Sequence, residues 1–299
     1  MIKESYVKGL FLAGLAGIFW GSMGSVAQYL LENCRFTAED LVSLRLAGAG
    51  FLLLTFERIV LRRHVLSVLF KERNWFSVTV YGIGLLGVQY AFFLSIRESY
   101  AATAELMAMT IPLMVTGWNA LQERRFITTR EFACLVLALA GIGLIVTGGD
   151  LSHADLNPAG VIWGLVSAAC GAFCNIQPKA VLRRLPVGVV AGWGILMGGL
   201  LMCFVCPPAA GTDSWTPMSL VFYFYIVAFG TVAAFCCYLA SFRFIPVSAA
   251  ALLSSFEPLT AVLLGVVFMG LALSAAEAAG ILCILAMTVL LTRHTERTH

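Results

Sequence analysis

Runs of about 20 predominantly apolar residues recur along the whole chain, and each is long enough to cross a hydrocarbon layer about 30 Å thick as an α-helix. Ten such spans are expected, at roughly residues 9–31, 40–60, 76–96, 99–121, 130–148, 159–178, 187–206, 218–241, 245–269 and 273–292. The runs are continuously apolar, whereas strands of a membrane barrel alternate polar and apolar residues over about ten positions, so the expected class is all-α. Composition agrees: 60% of residues are hydrophobic, 12% are charged, and the mean hydropathy is +0.92. Such a chain cannot keep its surface in water, and its 299 residues leave no stretch for a soluble domain. The expectation is a multi-pass protein of a cell's inner (plasma) membrane, with the lipid bilayer as its partner and no nucleic acid.

Lysine and arginine alternate by loop. The N-terminus, the loops after even-numbered spans and the C-terminus hold Lys3, Lys8, Arg58, Arg62, Arg63, Lys71, Arg73, Arg124, Arg125, Arg130, Lys179, Arg183, Arg184, Arg243, Arg293 and Arg297. These are 16 of the 19 cations; the opposite loops hold only Arg35 and Arg97, and Arg45 lies within span 2. A missed or invented span would destroy this alternation, and the positive-inside rule then places both termini in the cytoplasm. The first 27 residues imitate a secretory leader ending at Ser25-Val26-Ala27, but the apolar run continues through Gln28-Tyr29-Leu30-Leu31, so cleavage is not expected.

Nine cysteines raise the question of a metal. Eight lie within the expected spans, but His64, His153, His294 and His299 all lie in loops or the tail. Without convergent ligands the cysteines read as small apolar packing residues, and neither a metal site nor a cofactor is expected. The chain has no G-x-x-x-x-G-K-[ST] loop, which argues against direct ATP hydrolysis.

Shifting the chain by 146 residues aligns Ser95 with Ser241, Arg97 with Arg243, Pro112-Leu113 with Pro258-Leu259, and Glu131 with Glu277, with 11 identities in 51 ungapped positions. Five spans per half would set the halves in opposite orientations. The boundary falls near the loop from Asp150 to Pro158, dividing the chain into repeats 1–150 and 151–299.

Four short stretches carry a resemblance: Trp20-Gly21-Ser22, Leu44-Arg45-Leu46, Ile111-Pro112-Leu113 and, above all, Phe256-Glu257-Pro258-Leu259. In their order and spacing the chain resembles the drug/metabolite transporter superfamily, specifically the EamA type. That resemblance implies ten helices in two inverted five-helix repeats and movement of a small metabolite, with export favoured. Family members often end the fourth and ninth helices with Gly-Glu; here those places read Leu121-Gln122-Glu123 and Met269-Gly270-Leu271.

A charge at the centre of a membrane helix costs about 2.5 to 3.5 kcal/mol on insertion scales, so each one calls for a reason. Arg45, Glu105 and Glu257 are the cases here, beside the uncharged Gln28, Gln89, Asn119, Asn175 and Gln177. Glu257 falls about 18 Å along span 9 from Ile245, near the membrane midplane. It shares a helical stripe with Ala250, Ser254, Ala261 and Gly265. Pro258 removes the partner of the Ser254 carbonyl and Pro112 that of Ala108, marking both as hinges. Glu257 and Ser254 are therefore the leading candidates for substrate binding or coupling. A protonatable Glu257 also offers a route for proton coupling. Arg45 and Glu105, at similar depth, are expected to form a structural ion pair, although Glu105 shares a helical stripe with Met109, Pro112, Thr116 and Asn119, which keeps a cavity role for it open. Gln28, Gln177, Trp20, Gln89, Tyr90, Trp118 and Tyr238 are weaker cavity-lining candidates. A stripe of Gly14, Gly17, Gly21, Ser25 and Gln28 reads first as a close helix contact.

The function expected from these features together is secondary transport of a small organic metabolite, an amino acid or related compound, by alternating access. The rivals are a polytopic membrane enzyme, which would need a nucleophile and base or a metal cluster within the spans, and an exporter of small cationic drugs. An enzyme is not expected, since no histidine occurs in any span.

Overall fold

The structure is a computed structural model that describes residues 2–66, 74–126, 128–147, 157–182, 184–241, 243–245, 250, 253, 256–270 and 272–295. Among the described residues all regular structure is helical. The helices are α1 (Ile2–Asn33), α2 (Ala38–Ile59), α3 (Asn74–Glu98), α4 (Ala101–Ala108), α5 (Ile111–Gln122), α6 (Thr129–Thr147) and α7 (Pro158–Ile176). They continue with α8 (Lys179–Leu182), α9 (Val187–Val205), α10 (Pro217–Val227), α11 (Ala234–Ser241), α12 (Phe256–Met269) and α13 (Ala275–Thr295).

Five segments combine the length and hydropathy needed to cross a membrane: Tyr6–Asn33, Asn74–Glu98, Pro158–Ile176, Val187–Val205 and Pro217–Tyr238. Shorter apolar stretches follow at Phe132–Gly141, Leu259–Phe268 and Ala275–Met287. Helix α2 is also long enough, but it carries Glu39, Asp40, Arg45, Glu57 and Arg58. Several of these charges are matched. Asp40 closes a capping box with Thr37, and the buried Glu57 pairs with Arg63 at 2.8 Å. On the outer surface Phe11, Phe51, Phe76, Phe204, Phe268 and Leu282 are exposed, a facing that suits hydrocarbon and not water.

Helix α2 packs on α9, α3 on α7 and α9, and α6 on α13, while α1 lies against α10, α11 and α12. The largest apolar cluster is drawn from α1, α2, α3, α9 and α10, and includes Met23, Leu30, Leu46, Phe93, Ile195 and Ile226. A second cluster, with Leu106, Met107, Val161, Ile284 and Met287, joins α4, α7 and α13.

The expected fourth span is not one kinked helix but two. Helix α4 ends at Ala108, the Met109 and Thr110 amides fold back onto the Leu106 and Met107 carbonyls, and α5 restarts at Ile111. Pro112 then sits in the first turn of α5, where its missing N–H costs nothing. Pro258 lies in α12, and residues 254 and 255, which precede that helix, are outside the described residues. The eighth span is interrupted too, by a π-helical turn at Ala228–Ala233 between α10 and α11. Nothing in the apolar pattern announces that turn.

Candidate functional site

The broken helices surround a cavity of about 510 Å³. Its wall takes Trp20 and Met23 from α1, Arg45 from α2, Tyr81 and Gln89 from α3, Glu105 from α4, Thr231 from the π turn, Tyr238 from α11 and Glu257 from α12. Arg45, Glu105 and Glu257 are the charged groups on that wall, and they come from three separate helices.

Helix α1 holds two of these elements close. A Cβ at Gly21 would lie 2.1 Å from the Glu257 carbonyl oxygen, and one at Gly24 would lie 2.8 Å from Glu105 Oε1. At Gly21 the nearest atoms are backbone and only glycine leaves room, whereas at Gly24 a Cβ would have to displace the end of the Glu105 side chain. The stripe of small residues on span 1 is thus a close helix contact, and the helices it admits are those that carry the two carboxyl groups.

Arg45 is fully inside the protein, at 4% exposure. A buried guanidinium must be matched by acceptors. Its Nε donates to Thr231 Oγ1 at 3.1 Å, its Nη1 donates to Gln89 Oε1, and the guanidinium stands 5.6 Å from the centre of the Phe93 ring. Thr231 is free to accept because its own hydroxyl donates back to the Ile226 carbonyl at 2.9 Å, across the π turn. The irregular backbone there positions a side chain, as π turns at functional sites often do.

The Arg45–Glu105 ion pair expected from depth alone does not form as a direct contact; the guanidinium is turned to Gln89 and Thr231 instead. It still shares the cavity wall with both Glu105 and Glu257. The two carboxyl-bearing residues stand on the wall of the same cavity, although they belong to opposite halves of the chain. Glu105 is 0% exposed, and neither of its oxygens meets an N–H or O–H donor among the described residues.

Of the residues expected to line a cavity, Glu257, Trp20, Gln89 and Tyr238 do so, with Trp20 and Tyr238 packed ring to ring at 5.2 Å. Gln28 does not. Its Oε1 accepts from the Ala101 amide at 2.9 Å and its Nε2 donates to Glu32 at 2.8 Å, so it caps the start of α4. Gln177 donates to the Ser77 carbonyl and hydroxyl at 3.1 and 3.0 Å and ties α7 to α3. The Tyr90 hydroxyl donates to Glu39 at 2.6 Å, and Trp118 stands 46% exposed on α5, away from the cavity. In each case a nearer polar partner or the outer surface claims the side chain. Ser254 lies outside the described residues, and the hinge prolines Pro112 and Pro258 are placed by backbone alone. Glu277, matched to Glu131 by the internal shift, accepts from the Ser274 amide at 2.7 Å and caps α13.

Sequence reasoning missed Thr231 and Tyr81 as wall residues. Thr231 lies in a mid-span Gly-Thr pair that looks like ordinary packing, and no local signal marks it. Asn175, noticed only as a polar residue in a span, also lines the cavity.

A family model for EamA-like transporters matches the chain twice, over residues 7–147 and 158–293. The uncharacterized inner membrane transporter YicL of Salmonella typhimurium strain LT2 is 30% identical over 97% of both chains. The threonine/homoserine exporter RhtA of Salmonella typhimurium strain SL1344 is 25% identical, over 84% of this chain and 81% of its own. A solved crystal structure, 19% identical and covering 99% of each chain, superposes with a TM-score of 0.63 and shares the fold. With both segments matched and relatives of this kind along its length, the chain belongs to the EamA-like transporter family and is a membrane transporter.

Proposed function

We propose that this protein is a secondary transporter that exports a small organic metabolite, an amino acid or a related compound, across the cytoplasmic membrane. The observation that carries this reading is the cavity itself: three charged side chains meet on the wall of a 510 Å³ space inside an otherwise apolar bundle. Charges are retained at membrane depth where a substrate or ion needs them. A cavity of this size suits a metabolite, and its aromatic wall at Trp20 and Tyr238 gives the ligand's carbon skeleton an apolar surface. The relationship to threonine/homoserine exporters supports amino acids as the first compounds to test.

Ten spans in two inverted halves, 1–150 and 151–299, with both termini cytoplasmic, would supply the alternating-access machine. The packing supports this arrangement. Exchanging the halves turns the α3–α7 contact into the contact of the eighth span with α1, and leaves α2–α9 and α6–α13 as pairs. Breaks in α4–α5 and at the π turn give each half a place to bend. The end of the bundle at Asn33 is held together by Gln28 on Ala101, Asp40 on Ala209 and Ala210, and Tyr90 on Glu39. On the charge alternation this is the external end, so the cavity belongs to a state closed to the outside. An inward proton gradient is the proposed driving force, with Glu257 as the proton carrier.

Purified protein in proteoliposomes, loaded in turn with L-threonine, L-homoserine and a broad metabolite panel, should release one or more of them, faster under an imposed proton gradient. Flux of none of them in either direction, with or without the gradient, would sink the transporter reading of this cavity. Flux confined to organic cations would favour the cationic-drug alternative.

A further inference from the structure

We infer that the cavity is a two-pole site for a zwitterion, with Arg45 holding the ligand's carboxylate and the Glu105–Glu257 pair holding its ammonium group. This rests on the transport reading above and assigns the residues and chemical class within it.

Hydrogen-bonding capacity is left over here in a buried place. A guanidinium has five N–H donors in a planar fork, suited to a carboxylate. In Arg45 Nε serves Thr231 and Nη1 serves Gln89, which leaves Nη2 without a partner among the described residues. Glu105 presents the opposite case: both oxygens are buried and unmet among the described residues, and Glu257 lines the same cavity. Two carboxylates in one cavity inside an apolar bundle repel unless a proton or a cation offsets their charge. An ammonium group brings three N–H donors and a positive charge to that place. Buried groups with no partner are costly, so an occupant that satisfies them gains specificity as well as affinity.

Candidate ligands differ in which pole they serve. An amine without a carboxylate leaves the Arg45 donors unmet. An acid without an amine leaves the Glu105 oxygens unmet. A compound with both groups on one small carbon skeleton serves both poles, and the Trp20–Tyr238 ring pair is on the same wall. Arg45 is held in a fixed orientation by Thr231, Gln89 and the Phe93 ring before any ligand arrives, so little ordering is needed on binding.

The test is a competition experiment on the full-length protein. Thermal stabilisation and inhibition of counterflow are measured with L-threonine, L-homoserine and a wider amino-acid panel. The best amino acid is then compared with its methyl ester, its N-acetyl derivative and its decarboxylated amine. The free amino acid should bind at least about tenfold more tightly than any of the three. In Arg45→Gln the preference over the ester and the amine should vanish, and in Glu105→Gln the preference over the N-acetyl form should vanish. Where Arg45→Gln does not reach the membrane, Thr231→Val and Gln89→Leu, which free the guanidinium without removing it, should weaken the same discrimination. If amino acids bind and the blocked derivatives bind equally well, the two-pole site is wrong and the transport reading stands. If no compound of the panel binds or moves, the transport reading fails and this inference with it.

Discussion

Two polar regions of this bundle are built from similar side chains and do opposite things. At the Asn33 end every polar group described above has its partner: Gln28 serves Glu32 and the Ala101 amide, Asp40 serves Thr37 and the Ala209 and Ala210 amides, and Tyr90 serves Glu39. At the cavity, Arg45 and Glu105 are just as buried, yet among the described residues hydrogen-bonding capacity remains unused on both. Burial therefore does not separate structural from functional polar residues in this protein. What separates them is whether the fold completes their hydrogen bonds. A satisfied group holds helices together, and an unsatisfied one beside a cavity is available to a ligand.

The strongest way to break this contrast is Glu257→Gln. Transport should fall by about 100-fold or more, because a neutral amide removes charge from a site built for it, while the amount of protein in the membrane stays near normal. Initial rates in proteoliposomes, set against quantified reconstitution, decide the matter; wild-type flux would move Glu257 to the structural group. Asp40→Ala is the converse. It leaves two backbone amides at Ala209 and Ala210 and the cap of α2 without their acceptor, and should cost about 2 kcal/mol of stability in a denaturation series. Transport per folded molecule should change little, and a large loss of flux with unchanged stability would place Asp40 with the cavity group.

Thr231→Val sharpens the comparison from the cavity side. It removes the acceptor for Arg45 Nε and should lower transport by about tenfold through misplacement of the guanidinium, with a smaller effect on stability. Rescue by Thr231→Ser, which keeps the hydroxyl, would distinguish positioning from packing. The smallest effect is expected for Trp118→Ala. That side chain is exposed away from the cavity, so both flux and substrate affinity should match the parent protein.

Several features of this protein were legible in the sequence because they depend on short stretches. The apolar runs mark α1, α3, α7, α9 and the α10–α11 segment, since crossing a hydrocarbon layer is a requirement that each run of about 20 residues meets by itself. Glu257 was found from its depth within such a run, and the family was found from four short motifs. Gln28, Gln177 and Tyr90 were misplaced for a common reason. Each is polar and near the right depth, but depth along a helix says nothing about the direction a side chain faces or which neighbour reaches it first. Glu105 was given a direct ion pair with Arg45 on the same argument, and the structure gives the guanidinium Gln89 and Thr231 instead.

By itself, the sequence determined that the chain lives in a membrane, which stretches are apolar enough to enter it, and which charges would be costly there. Only the tertiary structure decided that Glu105 and Glu257 share a cavity wall, that Arg45 is steadied by a threonine on a π turn, and that span 4 breaks in two. The physical reason is one of range. Transfer of an apolar run into lipid is a sum over neighbouring residues. The pairing of polar groups depends on the rotation and approach of helices far apart in the chain, set here by glycines such as Gly21 and Gly24 that let α1 come within contact of both carboxyl-bearing helices.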